Sequence, residues 1–160
     1  MAIIYCSGDI FFEPSSQVFA HGCNCAGAMG KGIALQFRKR WPKMYEVYRQ
    51  KCIEKSFCLG DVFVWQEQDQ IIFNLATQKT WRMKAKLDAI DVSLEKMSYI
   101  ASDKCISTIL MPQIGCGLGG LDWKDVKPVF ERNFGQNNHL TVLICVEYVA
   151  GMPLKSIYIT

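Results

Sequence analysis

Two glycine-rich loops, each directly behind an apolar run, set the terms for any fold this chain can adopt. The first lies between Ala20 and Ala34 and carries glycines at 22, 27, 30 and 32. The run Val18-Phe19-Ala20 leads into it, and a helix-like segment from Ile33 to Trp41 follows at once. The second, Gly115 to Gly120, follows the apolar run Ile109 to Met111. Glycine has no Cβ, so backbone N–H groups in such loops approach a ligand closely. Ahead of a helix N-terminus they make an anion cradle suited to phosphate. Taken singly, each loop also reads as a tight turn joining a strand to a helix. The pair points further, to a cleft that grips a diphosphate from both sides. Neither loop has the dinucleotide fingerprint with its partner acid, nor the Gly-Lys-Ser/Thr ending of a P-loop, which disfavours a Rossmann dehydrogenase or an NTPase.

The rest of the chain supplies alternating strands and helices. Ile3 to Cys6 reads as a strand ending in the turn Ser7-Gly8-Asp9, and Val18 to Gly22 as a second. Ile33, Ala34, Phe37 and Trp41 share a helical face, and Pro42 ends or breaks that helix. Met44 to Ile53 reads as another helix, closed by Gly60. Val62 to Trp65 and Ile71 to Leu75 flank the polar turn Gln66 to Gln70, a hairpin pattern. Leu87, Ile90, Leu94, Met97 and Ala101 step by three and four, an amphipathic helix. Asp122 is an N-cap for a helix through about Phe134, Leu140 to Val146 is a strand, and Ser156 to Ile159 is a further candidate strand. This order gives an α/β class with a mixed, largely parallel sheet and ligand loops at the C-terminal strand ends. No repeat, linker or low-complexity stretch divides residues 1–160, so a single domain is expected.

Composition narrows the function classes. A net charge of +3 does not by itself argue for nucleic-acid binding, and it suits an anionic small ligand. The cluster Lys31, Arg38, Lys39, Arg40 and Lys43 reads as a solvated helix face. Of the eight cysteines, Cys6, Cys105 and Cys145 fall in apolar runs as small hydrophobes. Cys23-Asn24-Cys25 lacks a second pair or a histidine at zinc-finger spacing, so no metal and no cofactor are expected. There is neither a signal peptide nor a stretch long enough to span a membrane, and a reduced, cytoplasmic protein is expected.

These motifs together resemble the macrodomain family, whose ligand is ADP-ribose. The carriers are Gly8-Asp9-Ile10, His21 to Asn24, Gly27 to Ala34, Pro112 to Gly117 and Gly119 to Trp123, so the likeness spans nearly the whole chain. The chain is most similar to the branch of terminal ADP-ribose protein glycohydrolase, DarG-type antitoxin domains and ADP-ribose-1''-phosphate phosphatases. The resemblance implies a three-layer α/β/α fold with a central mixed, largely parallel sheet. It implies that Asp9 reads the adenine amine, a task for an acceptor-only carboxylate, and that Ile10 belongs to the ADP-ribose-binding set. An Asx-type turn cap is the alternative role for Asp9. Asn24 falls where the distal ribose is expected. Met29, Gly30, Gly32 and Ile33 would line the diphosphate and distal ribose, with Thr77 nearby. Gly115, Cys116, Gly117, Leu118, Gly119 and Gly120 would close over the diphosphate. His21 is read as a hydrogen-bonded core residue rather than a base, and His139 as surface.

Catalysis in this branch falls to a lysine directly after a strand-ending threonine. The matching segment here is Asn74-Leu-Ala-Thr-Gln-Lys-Thr-Trp-Arg82, in which Gln78 follows Thr77 and the lysine comes one place later, at Lys79. Gln78 and Lys79 are therefore the catalytic candidates, with a solvated surface lysine as the alternative for Lys79. Gly119 stands where some members carry an acid. Two activities are expected from the resemblance: release of ADP-ribose from a modified acceptor, or dephosphorylation of ADP-ribose-1''-phosphate. A non-enzymatic reader of ADP-ribose is the rival. A third reading is a nucleic-acid-directed antitoxin, with the basic segment Lys79 to Lys86 contacting DNA phosphates, and a nucleic acid is also a candidate modified acceptor.

Overall fold

The computed structural model describes residues 3–12, 17–136 and 139–157. Its strands are β1 (Ile3–Gly8), β2 (Val18–Asn24), β3 (Val62–Glu67), β4 (Gln70–Gln78), β5 (Thr108–Pro112), β6 (Thr141–Tyr148) and β7 (Lys155–Ser156). Helices α1 (Gly32–Arg40), α2 (Pro42–Ile53), α3 (Leu87–Asp103) and α4 (Trp123–Phe134) alternate with them. The strands form one sheet in the order β3-β4-β2-β5-β6-β1-β7. The five inner strands pair in parallel, while β3 and β7 run antiparallel at the two edges.

The period of two along each inner strand sorts side chains to opposite faces. Ala20, Phe73, Ile109, Met111, Val142 and Ile144 pack with Ile90, Leu94 and Met97 of α3 and Val126, Phe130 and Phe134 of α4. Their neighbours Phe19, Ile72, Leu110 and Cys145 turn the other way, onto Phe37 and Trp41 and onto Met44 of α2. The result is helix, sheet, helix. A third cluster of Cys23, Met29, Tyr48, Cys52, Phe57 and Ala76 fills the space beneath the first glycine loop.

Three elements depart from the sequence expectation. Pro42 does not simply stop a helix: Trp41 ends α1 and starts α2, and Pro42 occupies the first turn of α2, where its missing N–H has no partner to lose. The hairpin turn shrinks to Gln68 and Asp69, because Glu67 already pairs with Gln70 and Gln68 takes a left-handed backbone (φ 53°). The strand carrying Thr77 runs to Gln78 rather than stopping at Leu75. In the C-terminal tail β7 begins at Lys155, and the expected continuation past residue 157 lies outside the described residues.

Candidate functional site

Because the inner strands are parallel, their C-terminal ends share one edge of the sheet, and five segments leave from it. These follow β1 (Asp9), β2 (the first glycine loop), β4 (residues 79–86), β5 (the second glycine loop) and β6 (residues 149–154). This is the edge at which open α/β sheets hold ligands.

The first loop is pinned from below. The Asn24 side chain accepts from the backbone N–H groups of Ala26 (3.0 Å) and Ala28 (3.2 Å) and donates to the Ala28 carbonyl (2.8 Å). The buried Tyr48 hydroxyl donates to the Asn24 backbone carbonyl at 2.7 Å. Asn24 thus shapes the loop with the same amide expected to meet a ribose. Met29, expected to line the cleft, instead buries its side chain in the third core cluster and leaves only backbone to the surface. Beyond it Gly30 is exposed, and a Cβ built there would meet nothing within 4 Å. Gly32 takes a left-handed backbone, and Leu118 of the second loop lies over it, 3.4 Å from where a Cβ would be. Ile33 is half-buried against the α1 and α2 core.

The glycines of the second loop do different jobs. At Gly115 a Cβ would strike Ile90 of α3 at 2.6 Å, and at Gly119 it would lie 3.2 Å from Ala85, so packing demands both. Gly117 has φ 57° and open space above it, and Gly120 has φ 72° with Lys84 alongside. Residues Gly117–Gly119 form a single 3-10 turn that leaves Leu118 63% exposed. Burial, with the nearby Asp122 carboxylate adding to it, pushes the Cys116 thiol up to about 11. Asp122 itself accepts from the Lys124 N–H at 3.0 Å, the helix cap expected of it.

Residues 79–86 are tied to that second loop. The Ala85 N–H donates to the Gly119 carbonyl (2.8 Å), and the Lys86 N–H to the Thr77 carbonyl (2.9 Å). The buried Gln78 amide donates to the Met83 carbonyl and reaches that of Leu118 at 3.5 Å. Gln78 is therefore a brace between two loops. Lys79, the next residue, is exposed and enters no hydrogen bond or ion pair among the described residues. Thr77 is buried beside Gly22, where an added Cβ would come within 2.8 Å of its hydroxyl.

At the far end, Asp9 is buried with both oxygens engaged. One accepts from the Phe11 N–H and the other from the Gly151 N–H, each at 2.9 Å. The Asx-type turn is thus present, and Gly151 adds a second anchor. Ile10 sends its side chain into the α1 and α2 core. Tyr148 stands beside Asp9, where burial first and the carboxylate second raise its hydroxyl above the usual tyrosine value. His21 lies flat on Phe37 (ring centroids 3.9 Å apart) and meets Asn74 at 2.7 Å. Burial holds it down at about 4, so it is the neutral core residue the sequence suggested.

Several partners were not legible beforehand. Tyr48 beneath Asn24 and Gly151 beside Asp9 are distant in sequence, and the ties of residues 85 and 86 run through backbone atoms that carry no sequence signal. No group of acidic, cysteine or histidine side chains with metal-binding geometry occurs among the described residues. Among those residues no helix is long and apolar enough to cross a membrane.

The Macro domain family model matches residues 20–160. The DNA ADP-ribosyl glycohydrolase of Mycobacterium tuberculosis is 36% identical over 138 residues, covering 84% of this chain but 39% of that protein. The chain thus spans well under half the length of that relative. The ADP-ribose glycohydrolase OARD1 of Homo sapiens is 33% identical over 132 residues, covering 82% of this chain and 84% of that protein. Among solved structures, the macrodomain of Mycobacterium tuberculosis DarG superposes with a TM-score of 0.80 at 35% identity, over 91% of this chain and 96% of that one.

Proposed function

The chain belongs to the macrodomain family, and from that premise we propose that it is a hydrolase that binds ADP-ribose between its two glycine loops and frees it from an acceptor. The observation that carries this reading is the open space above Gly30 and Gly117, with Leu118 bringing the two loops together over Gly32. A diphosphate placed there meets backbone from both sides. Gly32, Ile33, Cys116 and Gly120 flank it, and Asp9 with Ile10 stands at the adenine end. Gly115, Gly119 and Asn24 serve by holding the loops in shape.

For glycosidic cleavage the reacting carbon is the anomeric carbon of the distal ribose. Lys79 is the residue we assign to it, attacking or polarising that carbon as the acceptor leaves with the bond's electron pair. Gln78 positions the loop, because its amide is already engaged by two carbonyls. The buried thiols of Cys6, Cys23, Cys52 and Cys145 suit a reducing compartment, and we place the protein in the cytoplasm.

A reader without turnover is the second reading. It is favoured by one observation, that Gln78 follows Thr77 and the lysine beside it is exposed. Calorimetry and a product assay test both. ADP-ribose should bind at least tenfold more tightly than AMP, because only the former spans both loops. Equal affinities would remove the diphosphate argument. An ADP-ribosyl-glutamate peptide, an ADP-ribosylated oligonucleotide and ADP-ribose-1''-phosphate, offered in parallel, separate glycohydrolase from phosphatase. Silence on all three with ADP-ribose still bound makes it a reader.

A further inference from the structure

β3 is the last strand on its side of the sheet, and its outer edge pairs with no strand among the described residues. Antiparallel partners alternate between residues that bond the neighbour and residues that turn away from it. The Ala76 N–H donates to the Asp61 carbonyl at 2.9 Å, and Phe63, Trp65 and Glu67 continue that bonded set. Val62, Val64 and Gln66 therefore direct their N–H and C=O groups outward. None of the three bonds a loop or helix backbone among the described residues. Edge strands are normally blunted by a lysine, a proline or a bulge. β3 reads Val-Phe-Val-Trp-Gln-Glu and keeps an unbroken register with β4, so it has none of these.

The elements beside this edge are equally incomplete. A groove of about 580 Å³ borders it, lined by Lys51 and Phe57 on one side and by Tyr99 and Ile100 of α3 on the other. Tyr99 is 68% exposed, and the apolar side chains of Leu59 and Val92 are exposed as well. Val92, Lys96, Tyr99 and Asp103 recur at intervals of four, three and four residues, a single stripe of α3. Val92 lies against Gly60 and Lys96 is 3.4 Å from Asp61, so the stripe runs alongside β3. It is cationic at Lys96 and anionic at Asp103, with Tyr99 between them. The pair of Lys96 with Asp61 is solvated and leaves the lysine available. On the opposite face the Lys51 ammonium rests 5.2 Å from the Phe63 ring centre, and Glu67 stands at the far end of β3. Neither forms an ion pair among the described residues. Both faces of the edge thus run from positive to negative in the same direction. A surface ordered in this way complements itself when turned about a two-fold axis.

We propose that this edge is the interface of a homodimer, in which β3 pairs antiparallel with the β3 of a second copy about a two-fold axis at Val64. In that register Val62 faces the partner's Gln66 and Val64 faces the partner's Val64, so all three outward residues are paired at once. The axis passes near Tyr99, which lines the same groove as Val64. It sets Lys96 against the partner's Asp103 and Lys51 towards the partner's Glu67, and each contact occurs twice. The partner's Tyr99 covers the groove. A strand from an unrelated protein would satisfy the backbone groups, but nothing would require it to match both charge gradients. The clefts stay open, because they lie at the C-terminal ends of the inner strands and the interface runs along the flank.

Sedimentation velocity from micromolar to millimolar concentration should show the parent passing from one chain to two. Amide exchange at Val62, Val64 and Gln66 should slow as concentration rises, while Trp65, already bonded to β4, should not change. Lys96→Asp and Asp103→Lys should each weaken self-association at least about tenfold, since each places like charges across the axis twice. Mixed together, the two variants should form a heterodimer, because one presents acids at both positions and the other presents cations. Thermal midpoints close to the parent's report that the variants fold. A parent that stays monomeric overturns the proposal and leaves the edge to an extended segment of another protein. Dimers without added protection at Val64, or folded variants that do not pair on mixing, overturn it as well.

Discussion

Gly30 and Gly117 look alike in the sequence, but their backbones separate two meanings of glycine. Gly117 has φ 57°, a region where an added side chain is strained whatever the space around it. Gly30 has no such backbone, and nothing lies within 4 Å of a Cβ built on it. Gly30→Val therefore tests ligand space alone. It should lower ADP-ribose affinity at least tenfold, while unfolding free energy stays within about 0.5 kcal/mol of the parent, as for most surface substitutions. Normal affinity in that variant would put the ligand elsewhere. At Gly117 a lost ligand and a strained loop would look the same, since replacing a left-handed glycine is itself destabilising. Gly115 combines both constraints, with φ 86° and Ile90 2.6 Å from an added Cβ, whereas at Gly119 the constraint is Ala85, 3.2 Å away.

The segment between β4 and α3 is the element on which enzyme and reader divide. Lys79→Ala should abolish hydrolysis and spare ADP-ribose affinity if the amine acts in the transition state. Gln78→Ala should behave differently, because it removes a brace: a higher KM, with stability lower by about 1 kcal/mol, the value of a typical hydrogen bond. Full activity in both variants would take the chemistry away from this segment. Helices and inner strands here were readable from the sequence because packing writes itself as periodicity. The three-and-four spacing of Leu87 to Ala101 gave α3, and apolar runs gave β2 and β5. The end of β4 was not readable from apolar character, since Ala76, Thr77 and Gln78 are small or polar, have only β2 as a strand partner and lie beyond the reach of β3, which starts opposite Leu75. The glycine pattern marked the two loops, but did not show that the side chains of Met29 in the first loop and Ile10 after β1 belong to the core. Residue type alone does not say which way a loop side chain turns.

For the molecule as a whole, the buried imidazole of His21 predicts acid sensitivity. In the fold it titrates near 4, against an ordinary value of 6.5, because burial penalises its charged form. As pH falls the unfolded chain takes up that proton first, so the contribution is complete above 6.5, declines down to about 4 and is flat below. The decline amounts to roughly 3 kcal/mol, taking about 1.4 kcal/mol per unit. Urea midpoints measured between pH 7 and pH 4 should fall steeply for the parent and less for His21→Gln. An identical slope in the variant would assign the loss to other groups. The Asp9 carboxylate has a consequence of another kind. One of its oxygens is held by the N–H of Gly151, 142 residues later in the chain. During synthesis, then, the sheet edge near Asp9 stays unfinished until residue 151 has cleared the ribosome. A nascent chain stalled before that point lacks the Gly151 N–H, and with it one of the two backbone donors that hold the Asp9 carboxylate.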